Sequence, residues 1–191
     1  MSEIFGPLSG IITLVGLLVY ARSVAIGSTK PSQVTWFVWT LNAFLLLASY
    51  HASGAKETIW LSAGYTLGLF IISALTIKYG HSGWGLVDKI CLVGAAAGVL
   101  LWWVTGSSLT AFSTSLIIDL VGIIPTMYKT WIDPVEEDKT SWVILLIGGV
   151  FSLLAIEEWN FIIAWYPLQV TVTTAIIVWF VFRKKKIVTV Q

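Results

Sequence analysis

The sequence predicts an all-α integral membrane protein of seven transmembrane helices, built as two parallel three-helix bundles joined by a linker helix. Three observations predict it. The 191-residue chain is 57% hydrophobic, 11% charged and has a mean hydropathy of +0.88, too little polar character to cover a soluble domain of this size. The apolar residues fall into seven runs with short connections. Finally, one line is written twice: residues 9–16 read SGIITLVG and residues 115–122 read SLIIDLVG, at an offset of 106.

A bilayer core of roughly 30 Å takes about 20 apolar residues per helix. The predicted spans are 8–26, 34–50, 57–78, 85–104, 108–129, 140–156 and 158–182. The start, MSEIFGPLSG, has no basic segment ahead of an apolar run, so no cleavable signal peptide is expected. The single Cys91 forms no internal disulfide. A net charge of +1 and the absence of a basic stripe argue against nucleic-acid binding. With seven spans and the tail inside, Arg22, Lys30, Lys78, Lys89, Lys129, Lys139, Arg183, Lys184, Lys185 and Lys186 share one side, and Lys56 alone is on the other. That asymmetry predicts an outside N-terminus and a cytoplasmic C-terminus, in a plasma (inner) membrane.

The repeat extends past its opening match. At an offset of 106, Ile26 meets Ile132, Thr35 meets Ser141, Trp36 meets Trp142 and Leu47 meets Leu153. At the second hairpin the offset falls to 101, pairing Glu57 with Glu158, Ala63 with Ala164, Tyr65 with Tyr166, Leu67 with Leu168 and Ala74 with Ala175. HASGA, residues 51–55, is expected to be an extended hairpin tip that the second copy lacks. Spans one to three thus repeat as spans five to seven: residues 1–80 are the first triple-helix unit, 81–106 the linker helix, and 107–191 the second unit with its basic tail. Three helices reverse the side of the chain and a fourth restores it. Both triplets therefore start outside, as parallel repeats about an axis along the membrane normal.

The segment LVGIIPTMYKTWIDPVEEDKTSW carries Gly122, Pro125, a polar stretch over 129–139 and Ser141 at the next helix start. With the three-plus-one-plus-three layout, it resembles the SWEET, PQ-loop and PnuC-type transporter superfamily, which also includes receptor-like members. The dipeptide here is Pro125-Thr126 rather than Pro-Gln, and spans two and six carry no proline. The resemblance implies a small solute moved by alternating access, and an asparagine with a nearby tryptophan at the substrate.

Depth selects the polar residues that could contact a solute. Asp119 lies about eleven residues into span five, near the bilayer centre at about 1.5 Å per residue. A charged Asp there costs roughly 2.5–3.5 kcal/mol on insertion scales. It should face the bundle interior, as a proton-coupling or substrate-binding acid or as a neutral packing acid. Asn42, Trp39, Tyr65, Tyr166 and Gln169 reach the same layer, and Thr13 is the repeat partner of Asp119. Together they read as a polar ring with aromatic walls, suited to a small polar or aromatic solute. For the tyrosines the competing reading is interhelix hydrogen bonding.

Pro125 and Pro167 are candidate hinges. Each removes one backbone hydrogen bond, to Val121 and Ile163 respectively, and the freed carbonyl needs another partner. Trp36 and Trp142 are expected to be interfacial anchors, as is Trp159, while Trp165 could line an outer vestibule. Glu157 and Glu158 are expected in a solvated outer turn, and the acidic run 133–138 is expected to be solvated surface. GAAAG, residues 94–98, would permit close helix contact, including self-association.

Enzyme chemistry is not expected. GHSG, residues 80–83, matches the GxSG string of rhomboid-type proteases but reads as a glycine-rich turn, with no histidine placed to serve as its base. His51, His81 and Cys91 are too scattered for a metal site, no phosphate loop occurs, and no cofactor is implied. The alternatives to a transporter are a ligand-binding receptor or sorting protein on the same fold and a structural subunit.

Overall fold

The computed structural model describes residues 1–29, 31, 33–80 and 86–183. These form seven α-helices: α1 (Ser2–Ala25), α2 (Gln33–Ala52), α3 (Ile59–Tyr79), α4 (Leu86–Thr105), α5 (Ser108–Ile132), α6 (Lys139–Leu154) and α7 (Phe161–Phe182). A short 3-10 turn, Pro134–Glu136, precedes α6. No strand occurs among the described residues. Helices α1, α3, α5 and α7 are long and apolar enough to cross a membrane; α6 and the Leu92–Thr105 part of α4 are shorter apolar helices. Lys30, residues 81–83 of the GHSG string and Lys184–Lys186 lie outside the described residues, as do the side chains of Thr35, Cys91, Pro125 and Lys129.

Local signals set several boundaries. Asp138 accepts a hydrogen bond from Ser141 N at 2.8 Å and starts α6; Asn160 accepts one from Ile163 N at 2.9 Å and starts α7. Between α4 and α5 the chain turns within two residues, and Gly106 takes a φ of +61°, which L side chains rarely adopt.

The helices follow the repeat. The offset of 106 carries Ser2–Ala25 onto 108–131, against an observed Ser108–Ile132. Pairing follows it as well. Helix α1 packs on α3 and α6, α2 packs on α3 and α5, and α7 packs on α5 and α6. Exchanging α1, α2 and α3 for α5, α6 and α7 maps these contacts onto one another. Helix α4 packs on α5 and the edge of α2. There Gly94 and Gly98 face Ile118 and Thr114 of α5, so the glycines of the GAAAG stretch serve packing inside the chain.

One expectation is corrected. The extra residues at 51–55 are not simply a longer tip. The α2–α3 loop (53–58) and the α6–α7 loop (155–160) have the same length. The difference is helical: α2 has 20 residues and α6 has 16, about one turn more. That turn carries Tyr50.

Two contacts explain why the helices sit so close. At the α1–α3 crossing, Gly64 meets Gly10 backbone to backbone, while Gly6 lies against Glu57 and Gly68 against Leu17; the small residues, spaced i,i+4 on each helix, let the backbones approach. A Cβ on Gly64 would run into the Gly10 carbonyl oxygen, and one on Gly10 would sit 2.5 Å from the Trp60 carbonyl oxygen. In α7, Pro167 cannot donate to Ile163, and the Tyr50 hydroxyl fills the gap by donating to the Ile163 carbonyl at 3.2 Å. Pro167 is buried and helical on both sides, so a fixed, satisfied kink accounts for it in this conformation. At Pro125, α5 continues through the position.

Gly64→Leu is expected to force α1 from α3 and to abolish recovery of monodisperse protein from detergent. Tyr50→Phe leaves the Ile163 carbonyl unpaired and should cost about 1–3 kcal/mol, seen as a lowered thermal midpoint with the fold retained.

Candidate functional site

Six of the seven helices enclose a cavity of about 620 Å³. Its walls come from α1, α2, α3, α5, α6 and α7, and none of its described lining residues is on α4. Helical spacing explains the lining. On α2, Trp36, Trp39, Ala43 and Leu46 stand one above another; on α5, Asp119, Gly122, Ile123 and Thr126 do the same. Both members of four repeat pairs line the space: Leu17 and Ile123, Trp36 and Trp142, Trp39 and Leu145, Tyr65 and Tyr166. The last pair touches edge to face, with ring centroids 6.4 Å apart.

Asp119 lies at mid-length of α5 and accepts a hydrogen bond from Gln169 Nε2 of α7 at 3.2 Å. Asn42 stands on the facing helix, 2% exposed, and donates from Nδ2 to the Ser115 carbonyl at 3.2 Å. A carbonyl can only accept, so the amide must turn its nitrogen there. Asn42 Oδ1 is then a buried acceptor with no hydrogen-bond partner.

The repeat-related crossing differs in character. Asp119 corresponds to Thr13 and Asn42 to Gly148. At α1–α6 the Thr13 side chain occupies the space where a Cβ on Gly148 would stand. Thr13 is fully buried and its hydroxyl has no hydrogen-bond partner. One crossing is sealed by close packing; the other carries an acid and an amide beside open volume. At α2–α5, Gly122 is needed because a Cβ there would strike the Trp39 indole.

Of the residues expected at the site, Asn42, Trp39, Tyr65, Asp119 and Tyr166 line the cavity. Gln169 does not line it, although it holds Asp119 from behind. Thr13 is a correction: it packs against Gly148, away from the cavity. Trp36 and Trp142 are corrections in the opposite direction. Each is 8% exposed and both line the cavity, because their helix faces point inward. Trp36 packs on Tyr20 (5.1 Å between centroids) and Trp39 (5.6 Å). Trp159 is 74% exposed, and Trp165 is an exposed side chain against Phe161, outside the cavity wall.

The acidic run is also corrected. Glu137 is 7% exposed, lines the cavity and accepts from the Trp142 indole N–H at 3.0 Å. Asp138 receives the Ser23 hydroxyl while capping α6. Asp133 caps the 3-10 turn. No sequence period flags Glu137, since it lies in a loop.

The cavity reaches Gly27, Ser28, Thr29 and Pro31 of the α1–α2 loop as well as Glu137, so it approaches the surface at that end. At the other end the interior is filled. Leu46, Tyr50, Leu61, Phe112, Leu116, Ile163 and Tyr166 form a buried cluster, with Tyr50 6.1 Å from Tyr166 and 5.6 Å from Phe112. Above it, Glu157 accepts from the backbone N–H of Lys56 at 2.7 Å and of Glu57 and Thr58 at 3.3 Å. Rather than sitting idle in a solvated turn, Glu157 ties the two repeat-related hairpin loops together. Among the described residues, no group of three or more His, Cys, Asp or Glu could hold a metal ion.

Compared with known proteins, the chain matches no family model, no curated protein and no solved structure. The functional reading therefore rests on the cavity.

With Cys91 replaced by Ser, Thr126→Cys on the cavity wall is expected to react with a water-soluble thiol reagent in detergent. Thr13→Cys, at the sealed crossing, is expected to react at least about tenfold more slowly, since reaction requires access.

Proposed function

We propose that this is a seven-helix integral membrane transporter that moves a small solute through the central cavity by alternating access. In this reading the two triplets are parallel repeats joined by α4, as in the SWEET-like superfamily that the sequence resembles. The single observation that carries it is the cavity itself. It has walls from both repeats, a polar cluster at mid-depth, an approach to the surface at one end and a packed aromatic cluster at the other. A transporter caught facing one side has this form.

The membrane setting is supported by the outer surface, where Ile11, Leu41, Phe44, Phe70, Trp103, Ile117 and Val172 are all exposed. Apolar cover of that extent suits lipid rather than water. Arg22, Lys78, Lys139 and Arg183 stand at helix termini on the side of the α1–α2 and α5–α6 loops, which supports reading that side as cytoplasmic and this conformation as inward-facing. Solute would enter between the α1–α2 loop and Glu137, rest among Trp36, Trp39 and Asn42, and meet Asp119. Opening the other side requires parting the Tyr50–Phe112–Tyr166 cluster and releasing Glu157 from the opposite hairpin. Asp119, held by Gln169 and facing Tyr65 and Tyr166, is the group that can gain or lose a proton as the site changes sides.

A receptor on the same fold would use the same cavity without flux. Purified protein in proteoliposomes separates the two. Saturable uptake from a mixed panel of labelled sugars, nucleosides, vitamins and amines is expected, faster under an imposed pH gradient. Asp119→Asn is expected to remove the gradient effect. Saturable binding with no uptake would overturn the transporter reading, and full gradient dependence in the variant would overturn the role of Asp119.

A further inference from the structure

We infer that the cavity takes an organic cation with an N–H and an aromatic or apolar body, that is, a protonated amine. The inference rests on the reading that this cavity is the solute site. Its first support is charge. Two carboxyl groups line the space, Asp119 at mid-depth and Glu137 at the loop end, and no described lining residue is Lys, Arg or His. An anion reaching mid-depth would meet the Asp119 carboxyl group.

The second support is the wall. Trp36, Trp39 and Trp142 line one cavity, and Trp36 meets Trp39 edge to face at 71°. Indole faces carry the most negative π surface of any side chain, and a cation held against them is attracted by the ring quadrupole. Glu137 accepts the Trp142 indole N–H, which fixes that ring in the wall.

The third support is Asn42. Its nitrogen is committed to the Ser115 carbonyl, so the group it leaves for a ligand is Oδ1, a buried acceptor without a partner. An acceptor of this kind calls for an N–H or O–H on the ligand. A donor that also carries positive charge satisfies Asn42 Oδ1 and the Asp119 carboxylate together. The repeat-related crossing, Thr13 against Gly148, has neither an acid nor an amide, so the cation site belongs to the α2–α5 side alone.

A charge series of one shape tests this on the full chain in detergent: tryptamine, its neutral alcohol tryptophol and the anion indole-3-acetate. Binding is read by titration calorimetry at near-neutral pH. Tryptamine is expected to bind at least about tenfold more tightly than either analogue. Asp119→Asn is expected to remove most of that preference, weakening tryptamine at least about tenfold more than tryptophol; a merely structural role would weaken all three alike. Glu137→Gln is the second variant, expected to reduce the preference in part, and it keeps the test open should Asp119→Asn fail to fold. Equal or tighter binding of the alcohol or the acid, or no binding of tryptamine, overturns the cation assignment. The transport reading is judged apart: tryptamine binding without uptake sinks transport and leaves the cation site, whereas uptake of a neutral solute with no amine binding does the reverse.

Discussion

At the α2–α5 crossing, Gly122 opens room for the Trp39 indole, and one turn earlier on α5 Asp119 faces the cavity in the same layer as Asn42. The cavity depends on this crossing. Its repeat counterpart, α1 on α6, keeps the glycine at Gly16 but sets Leu145 against it and closes Thr13 onto Gly148. The two crossings share a backbone plan and differ in a handful of side chains. One is a close contact of α1 on α6. The other leaves polar groups of α2 and α5 beside a space. An acid at mid-depth is costly in lipid unless it faces such a space or finds partners. Here it has both the cavity and Gln169.

The asymmetry between copies continues along the helices. Helix α2 is about a turn longer than α6, and that turn carries Tyr50. Tyr50 satisfies the carbonyl that Pro167 frees on α7 and packs against Phe112 and Tyr166. A proline with no counterpart in copy one and a helical turn with no counterpart in copy two thus meet at one point. Neither change is self-sufficient. The proline alone would strand a carbonyl in an apolar setting. The tyrosine alone would bury a hydroxyl without a partner. Together they close one end of the cavity, and Glu157 reinforces the closure by binding three backbone N–H groups of the opposite hairpin.

Close backbone packing lies elsewhere. Glycines line the α1–α3 crossing so closely that added side chains have no room, and α1 also packs on α6. In the proposed transport cycle this contact is the natural fixed body, with movement falling to the hairpin tips and to the looser α5–α7 contact.

By itself the sequence determined the helical class, the repeat, and the helix boundaries to within three residues except at the start of α1, which begins six residues ahead of the expected span, because each depends on apolar run length and periodicity. It also marked Asp119, Asn42, Trp39, Tyr65 and Tyr166 for the cavity, since depth along a helix can be counted. Only the tertiary structure decided direction around the helix axis and the fate of the loops. Trp36 and Trp142 sit near helix ends, where a membrane interface and a cavity mouth are equally good places for an indole, and packing chose the cavity. Thr13 shares the depth of Asp119 but was taken by Gly148, because a glycine's missing side chain invites a neighbour to fill it. Glu137 and Glu157 lie in loops, which have no period to reveal whether a carboxylate meets water, an indole N–H or the backbone of a distant hairpin.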